Sequence, residues 1–161
     1  MVRAAVVGTA ALLLSACQSV PAQKGFNAAQ IAVLQQENFV PVDESYDWFL
    51  TLPSRLLFAS DQSELEPDKL EDIASLARNL VNVGITTAVV EGHTDSSASD
   101  AYNVQLSQAR AATVARHMAA NGMTFTPDQI IGKGEAYPIS DNSTPEGRQD
   151  NRRVVILVSP E

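Results

Sequence analysis

Apolar positions along the chain recur with helical spacing in some stretches and in short β-rich runs in others, and the alternation predicts the elements. Asn27 is a good N-cap with Gln30 three residues on as its capping-box partner, and Phe26 can staple onto Ile31. A helix follows over about 28–36. It is too short to be stable alone, so Ile31, Val33 and Leu34 need a surface, either the domain's own or a partner's. Phe39-Val40-Pro41-Val42 and Tyr46-Asp47-Trp48-Phe49-Leu50 flank the turn-like Asp43-Glu44-Ser45. They predict a hairpin whose first strand Pro41 confines to an edge. Residues 55–58 read as a short strand, and Glu66-Pro67 opens a helix on which Leu70, Ile73, Leu76, Ala77 and Leu80 share a face, closed by Gly84. The β-branched run 86–91, bounded by Gly92, is a central strand. A longer helix spans about 100–120 and stops at Asn121-Gly122. A strand at 129–132, a short helix at 144–149 and a last strand at 153–158 complete the pattern. Strands alternating with helices predict an α/β (α+β) sandwich. Its small mixed sheet is covered on one face by helices, with an N-terminal helix and hairpin as an extension.

The first residues stand apart. Met1-Val2-Arg3 gives a positive start, and the apolar run 4–14, interrupted by Gly8 and Thr9, falls short of the roughly 20 residues a spanning helix needs. It reads as the core of a secretory signal peptide. Leu14-Ser15-Ala16-Cys17 then resembles the bacterial lipobox, which implies that Cys17, the chain's only cysteine, becomes the acylated first residue. The alternative is a plain secretory signal with a buried cysteine beside its cleavage site. Several acyl chains anchor durably, at about 0.8 kcal/mol per buried methylene. Gln18, where an Asp commonly retains lipoproteins at the inner membrane, implies the outer membrane. The organisation is therefore a signal peptide over 1–16, a lipidated tether over 17–25, an accessory segment over 26–54 and the main domain over 55–161.

At 161 residues the chain fits one domain with appendages. Lys and Arg total 11 against 19 Asp and Glu, a net charge of -8, which argues against nonspecific nucleic-acid or anionic-lipid binding. One cysteine forms no internal disulfide or thiolate zinc site, and two histidines, His93 and His117, argue against a His-rich metal centre. No cofactor is expected.

Candidate chemistry gathers around the central strand. Asp95 lies just past its end, where ligand sites on α/β sheets tend to form. On the following helix Tyr102, Leu106, Arg110, Val114 and Met118 fall at four-residue spacing, so a guanidinium sits inside an apolar stripe. It must meet a carboxylate or reach solvent, because an unpaired buried charge is costly. Asp95 and Arg110 suit a zwitterion, the first accepting an ammonium and the second holding a carboxylate in paired hydrogen bonds. They equally suit a salt bridge that locks loop to helix. An enzyme is the weaker alternative. Glu91 with Asp95 could be paired carboxylates for glycoside hydrolysis, and His93 a general base, but Glu91 lies within the strand and Ser107 lacks a nucleophile context.

Val89-Val90-Glu91-Gly92-His93-Thr94-Asp95, Asn103-Val104-Gln105-Leu106-Ser107-Gln108-Ala109-Arg110-Ala111, Glu146-Gly147-Arg148 and Asn151-Arg152-Arg153-Val154 together resemble the OmpA-like peptidoglycan-binding domain. The resemblance covers about 56–158. It implies a non-covalent site for the meso-diaminopimelate of the peptidoglycan stem peptide. Asp95 and Arg110 would be its principal contacts, Asn103, Leu106 and Arg152 its walls, and Asp61 a weaker candidate. Asn103 and Asn151 equally read as capping residues, and Arg153 as a structural or surface residue. Two positions depart from the family. Ala98 stands where glycine is common, and would be strained if the turn needs positive φ. Lys133 stands where an aromatic is common.

Residues 26–36 and Tyr46-Asp47-Trp48-Phe49 further resemble the corresponding part of YfiB-type outer-membrane lipoproteins. That resemblance implies a periplasmic YfiR-type repressor as partner, whose sequestration frees a YfiN-type diguanylate cyclase and raises cyclic di-GMP. Phe26, Ile31, Leu34, Trp48 and Phe49 are the candidate partner contacts. The alternative is a purely structural tether between outer membrane and cell wall, like the peptidoglycan-associated lipoprotein.

Overall fold

A computed structural model describes residues 25–160. The signal peptide, Cys17 and all of the tether before Gly25 lie outside the described residues. The chain opens with α1 (Ala28–Gln36), whose capping box forms as expected: Asn27 Oδ1 accepts from the Gln30 amide at 3.0 Å, and Gln30 Oε1 from the Asn27 amide at 2.9 Å. Strands β1 (Val40–Pro41) and β2 (Trp48–Pro53) form the hairpin, with β1 reduced to an edge pairing of two residues. Strand β2 continues past Leu50 and runs antiparallel to β5 (Arg153–Val158) along its whole length. The hairpin is thus part of the main sheet.

Residues 55–58, expected as a strand, instead turn into the single-turn helix α2 (Ser54–Leu57). The physical reason lies one residue earlier. Pro53 cannot donate to the ladder, so β2 ends there, and the chain turns to bury Leu57 and Phe58. After a 3₁₀ turn at Pro67–Lys69 comes α3 (Leu70–Asn82), then β3 (Val89–His93), α4 (Asp100–Ala119), β4 (Ile130–Gly132) and α5 (Pro145–Asn151). The five-stranded sheet has the order β1-β2-β5-β3-β4, antiparallel except for the β3–β4 pair.

Helix α4 packs on β3 and β4, α3 packs on α4, and α1 packs on α3, so the helices form a layer over one face. Between the layers lie Leu80, Val90, Val114, Met118, Val154 and Ile156, all fully buried. Leu34 of α1 joins the same core, so the domain itself supplies the surface that short helix needs. The central strand differs from its expected 86–91 by running on through Gly92. Glycine is required there for another reason: a Cβ at Gly92 would lie 2.0 Å from the Ser107 carbonyl oxygen of α4. Gly132 on β4 is crossed equally closely, with the Gln108 amide nitrogen 2.6 Å from its would-be Cβ. The two glycines let α4 lie directly on the strands. Gln108 then caps the open edge of β4, donating to the Ile130 carbonyl at 3.0 Å and accepting from the Gly132 amide at 2.6 Å.

Because the Gly92 contact is backbone against backbone, Gly92→Ala should destabilise the fold by about 3 kcal/mol, at the upper end of overpacking costs. Denaturant unfolding checks this; an unchanged midpoint would mean that α4 rides higher than described.

Candidate functional site

Residues past the end of β3 build one wall of a groove of about 1080 Å³. Thr94 donates its amide to the Gly134 carbonyl at 2.9 Å, which fixes the strand exit. Asp95 follows, and Ser99 caps α4 by accepting from the Tyr102 amide at 3.4 Å. The loop between them is braced by Asn103, whose amide group reaches the Asp95 carbonyl at 3.1 Å, the Ala98 carbonyl at 3.3 Å and Glu135 Oε2 at 2.5 Å. Asn103 therefore does the bracing work that its capping alternative describes while also lining the groove. Asn151 is engaged elsewhere: it accepts from the Ile139 and Ser140 amides and donates to the Ser140 carbonyl and Asn142 Oδ1, holding the loop before α5.

All six sequence-predicted ligand residues, Asp61, Asp95, Asn103, Leu106, Arg110 and Arg152, line this one groove. Asp95 and Arg110 form no salt bridge with each other, so the alternative of a direct pair locking loop to helix is not what the structure contains. Asp95 Oδ1 accepts from the Ser97 amide at 2.9 Å, and its Oδ2 is taken by the Arg152 guanidinium. Burial pushes the Asp95 carboxyl up, but the Ser97 amide and Arg152 outweigh it and hold the group below its ordinary 3.8. Arg110, midway along α4, is 4% exposed. Its Nε donates to the Gln62 carbonyl at 2.9 Å and its guanidinium stacks 5.3 Å from the centre of the Phe58 ring. Burial lowers its pKa, with the Asp61 charge opposing, yet an arginine so placed stays charged at neutral pH. Its Nη1 has no partner. Asp61 sits on the facing loop in the left-handed region, at φ 55.

Among the described residues, the buried side-chain polar atoms without a hydrogen-bond partner are Ser54 Oγ, Thr94 Oγ1 and Arg110 Nη1. Such atoms are costly to leave unpaired and are few in folded proteins, and here all three belong to the residues of one concavity. Sequence reasoning passed over Ser54, Thr94 and Phe58. Thr94 was within reach as the neighbour of Asp95, whereas Phe58 lay in the segment expected as a strand and Ser54 at the end of the accessory segment.

The enzyme constellation is not assembled. Glu91 and His93 point away from α4, on the face opposite Gly92, and neither lines the groove. Glu91 is bound to Lys133 at 3.3 Å and lies 3.6 Å from His93 Nε2. Arg153 is buried, as its structural assignment requires, and donates to the Asn151 and Tyr137 carbonyls. Ser107 is fully buried, its hydroxyl donating to the Val104 carbonyl and accepting from the Gly134 amide. The two family departures are also accommodated. Ala98 is absent from the positive-φ residues, so the feared strain does not arise, and Lys133 lies outside the groove lining.

The accessory residues divide. Leu34 is buried in the core, so it is not free to meet a partner as expected, while Trp48 and Phe26 are partly buried and pack against that core. Ile31 and Phe49 keep partial exposure. Nearby Val40 and Tyr46 are 51% and 58% exposed.

A small mixed sheet under one helical layer, with its groove at the carboxyl end of the central strand, is the architecture of OmpA-like domains. Residues 57–152 match the model of the OmpA family, and the chain belongs to that family. It is similar to the outer-membrane lipoprotein YfiB of Pseudomonas aeruginosa, 39% identical over 148 residues, 92% of this chain and 87% of that protein. It is similar also to the putative lipoprotein YfiB of Escherichia coli, 36% identical over 149 residues, 92% of this chain and 91% of that one. Among solved structures, the cell wall anchor of the T6SS from Pseudomonas aeruginosa superposes with a TM-score of 0.64 at 28% identity, covering 83% of this chain and 95% of that one.

His93 is buried, and burial with Arg153 beside it pushes its imidazole from 6.5 down to about 4 against the pull of Glu91. The unfolded chain takes up a proton that the folded one refuses, so stability should fall as pH drops from 6.5 towards about 4. His93→Gln should flatten that slope in denaturant midpoints measured across the window; an equal slope in both proteins would place the proton uptake elsewhere.

Proposed function

We propose that the chain is a lipid-anchored outer-membrane protein that holds peptidoglycan without covalent chemistry, through the free zwitterionic end of diaminopimelate in the stem peptide. The observation that carries this reading is the buried, charged and half-unpartnered Arg110 facing the same groove as Asp95. A carboxylate docked on Arg110 supplies the missing acceptor, and an ammonium on Asp95 balances the second charge. Support comes from the lipoproteins named among the relatives and from the neighbour named as a cell wall anchor. The lipid would attach at Cys17, and Asn103, Leu106, Arg152 and Asp61 would shape the groove around the ligand. Asp95→Ala and Arg110→Ala should each abolish co-sedimentation of the full chain with purified diaminopimelate-type peptidoglycan, while circular dichroism stays native. Retained sedimentation by both variants would refute the assignment.

The finer reading is signalling. The similarity to YfiB lipoproteins extends beyond the family-matched 57–152 to 92% of the chain. This favours a YfiB-like role in which a YfiR-type repressor is sequestered and a YfiN-type cyclase released. Since β2 is built into the main sheet, the partner surface is the exposed part of the accessory segment: Ile31, Phe49, Val40 and Tyr46. The burial of Leu34 in the core instead favours a plain tether. A pull-down with a purified YfiR-type repressor separates the two readings. Capture by the full chain and its loss in Val40→Asp with Tyr46→Ala supports signalling; no capture by the unaltered chain leaves the tether.

A further inference from the structure

In the empty groove the two charges that the proposed ligand needs are in opposite states. Arg110 has an unpartnered Nη1, whereas both oxygens of Asp95 are occupied, one by the Ser97 amide and the other by Arg152. The carboxylate end of the site is short of a hydrogen-bond partner, and the ammonium end is occupied by the chain's own guanidinium. Register places the backbone of residue 152 between the residues that carry the other unpartnered atoms. Pro53 and His93 both pair with Arg153, and the Ser54 amide donates to the Arg152 carbonyl at 2.9 Å. One step further along, Ser54 and Thr94 therefore flank Arg152, and their hydroxyls are the two remaining orphans. With Arg152 seated on Asp95, that carboxylate is satisfied and the floor beside residue 152 is not.

We propose that Arg152 is a specificity-determining gate: an internal cation that competes with the ligand's ammonium for Asp95. Resting on the zwitterion reading above, this deepens it. A ligand with only a carboxylate docks on Arg110 and leaves the gate shut. A ligand that also carries an ammonium must displace Arg152, which swings toward solvent on a side chain already 35% exposed. That displacement lowers affinity and makes the ammonium, rather than general polarity, the feature read at this end. The Arg152 side chain has no other hydrogen-bond partner among the described residues, so neutralising it leaves its backbone bonds to Ser54 and Arg148 in place.

Calorimetric titration of the full chain with meso-diaminopimelate, and with pimelate as the same skeleton lacking both amines, tests the gate. Arg152→Gln should bind diaminopimelate about two- to tenfold tighter than the unaltered chain, the span that partly exposed ion pairs cover, with no matching gain for pimelate. Arg152→Lys, which keeps a cation within reach of Asp95, should return to the unaltered affinity. Weaker binding of both probes by Arg152→Gln would make Arg152 a direct anion contact and overturn the proposal, as would unchanged diaminopimelate affinity. Those outcomes leave the zwitterion reading standing. Absence of diaminopimelate binding in every version of the chain would bring down both.

Discussion

A guanidinium buried midway along a helix must be given partners or be expelled, and the architecture around Arg110 follows from how this chain meets that demand. Phe58 stacks on one face and the Gln62 carbonyl takes Nε, so the loop after α2 is tied to α4. The helix itself is pinned by two glycines that let it lie directly on β3 and β4. Arg110 is thereby fixed in place with its buried Nη1 left without a partner. A charge held this rigidly requires little reorganisation when an anion arrives, which is what a preorganised site needs.

The opposite charge is held more loosely. Asp95 sits on a loop braced by Asn103 and is neutralised by Arg152, a residue that is only partly buried. One end of the groove is rigid and unpaired while the other is paired but exchangeable. In the proposed reading that asymmetry is what suits the groove to a zwitterion, because only one buried charge is left short of a partner.

Much of this was legible in the chain. The capping box at Asn27, the helical stripe on α4, the edge-confining Pro41 and the anomaly of an arginine among apolar neighbours all follow from local spacing, and the structure contains each of them. The six candidate ligand residues meet in one groove because family blocks distant in sequence converge at one end of the sheet. What could not be read were consequences of tertiary contact. Nothing local says that Pro53 ends a strand already paired with β5, that Gly92 serves helix approach and not strand termination, or that Arg152 rather than Arg110 reaches Asp95. Leu34 and Trp48 were ambiguous for the same reason, since an apolar face looks alike whether it meets its own core or another protein.

The central claim is that Arg110 and Asp95 together receive an amino-acid zwitterion. A crystal of the full chain soaked with a diaminopimelate-containing stem peptide measures it directly. The account predicts electron density with a carboxylate on the Arg110 guanidinium and an ammonium on Asp95, with Arg152 moved aside. Peptide bound away from the groove, or a groove still empty at saturating peptide, would contradict it.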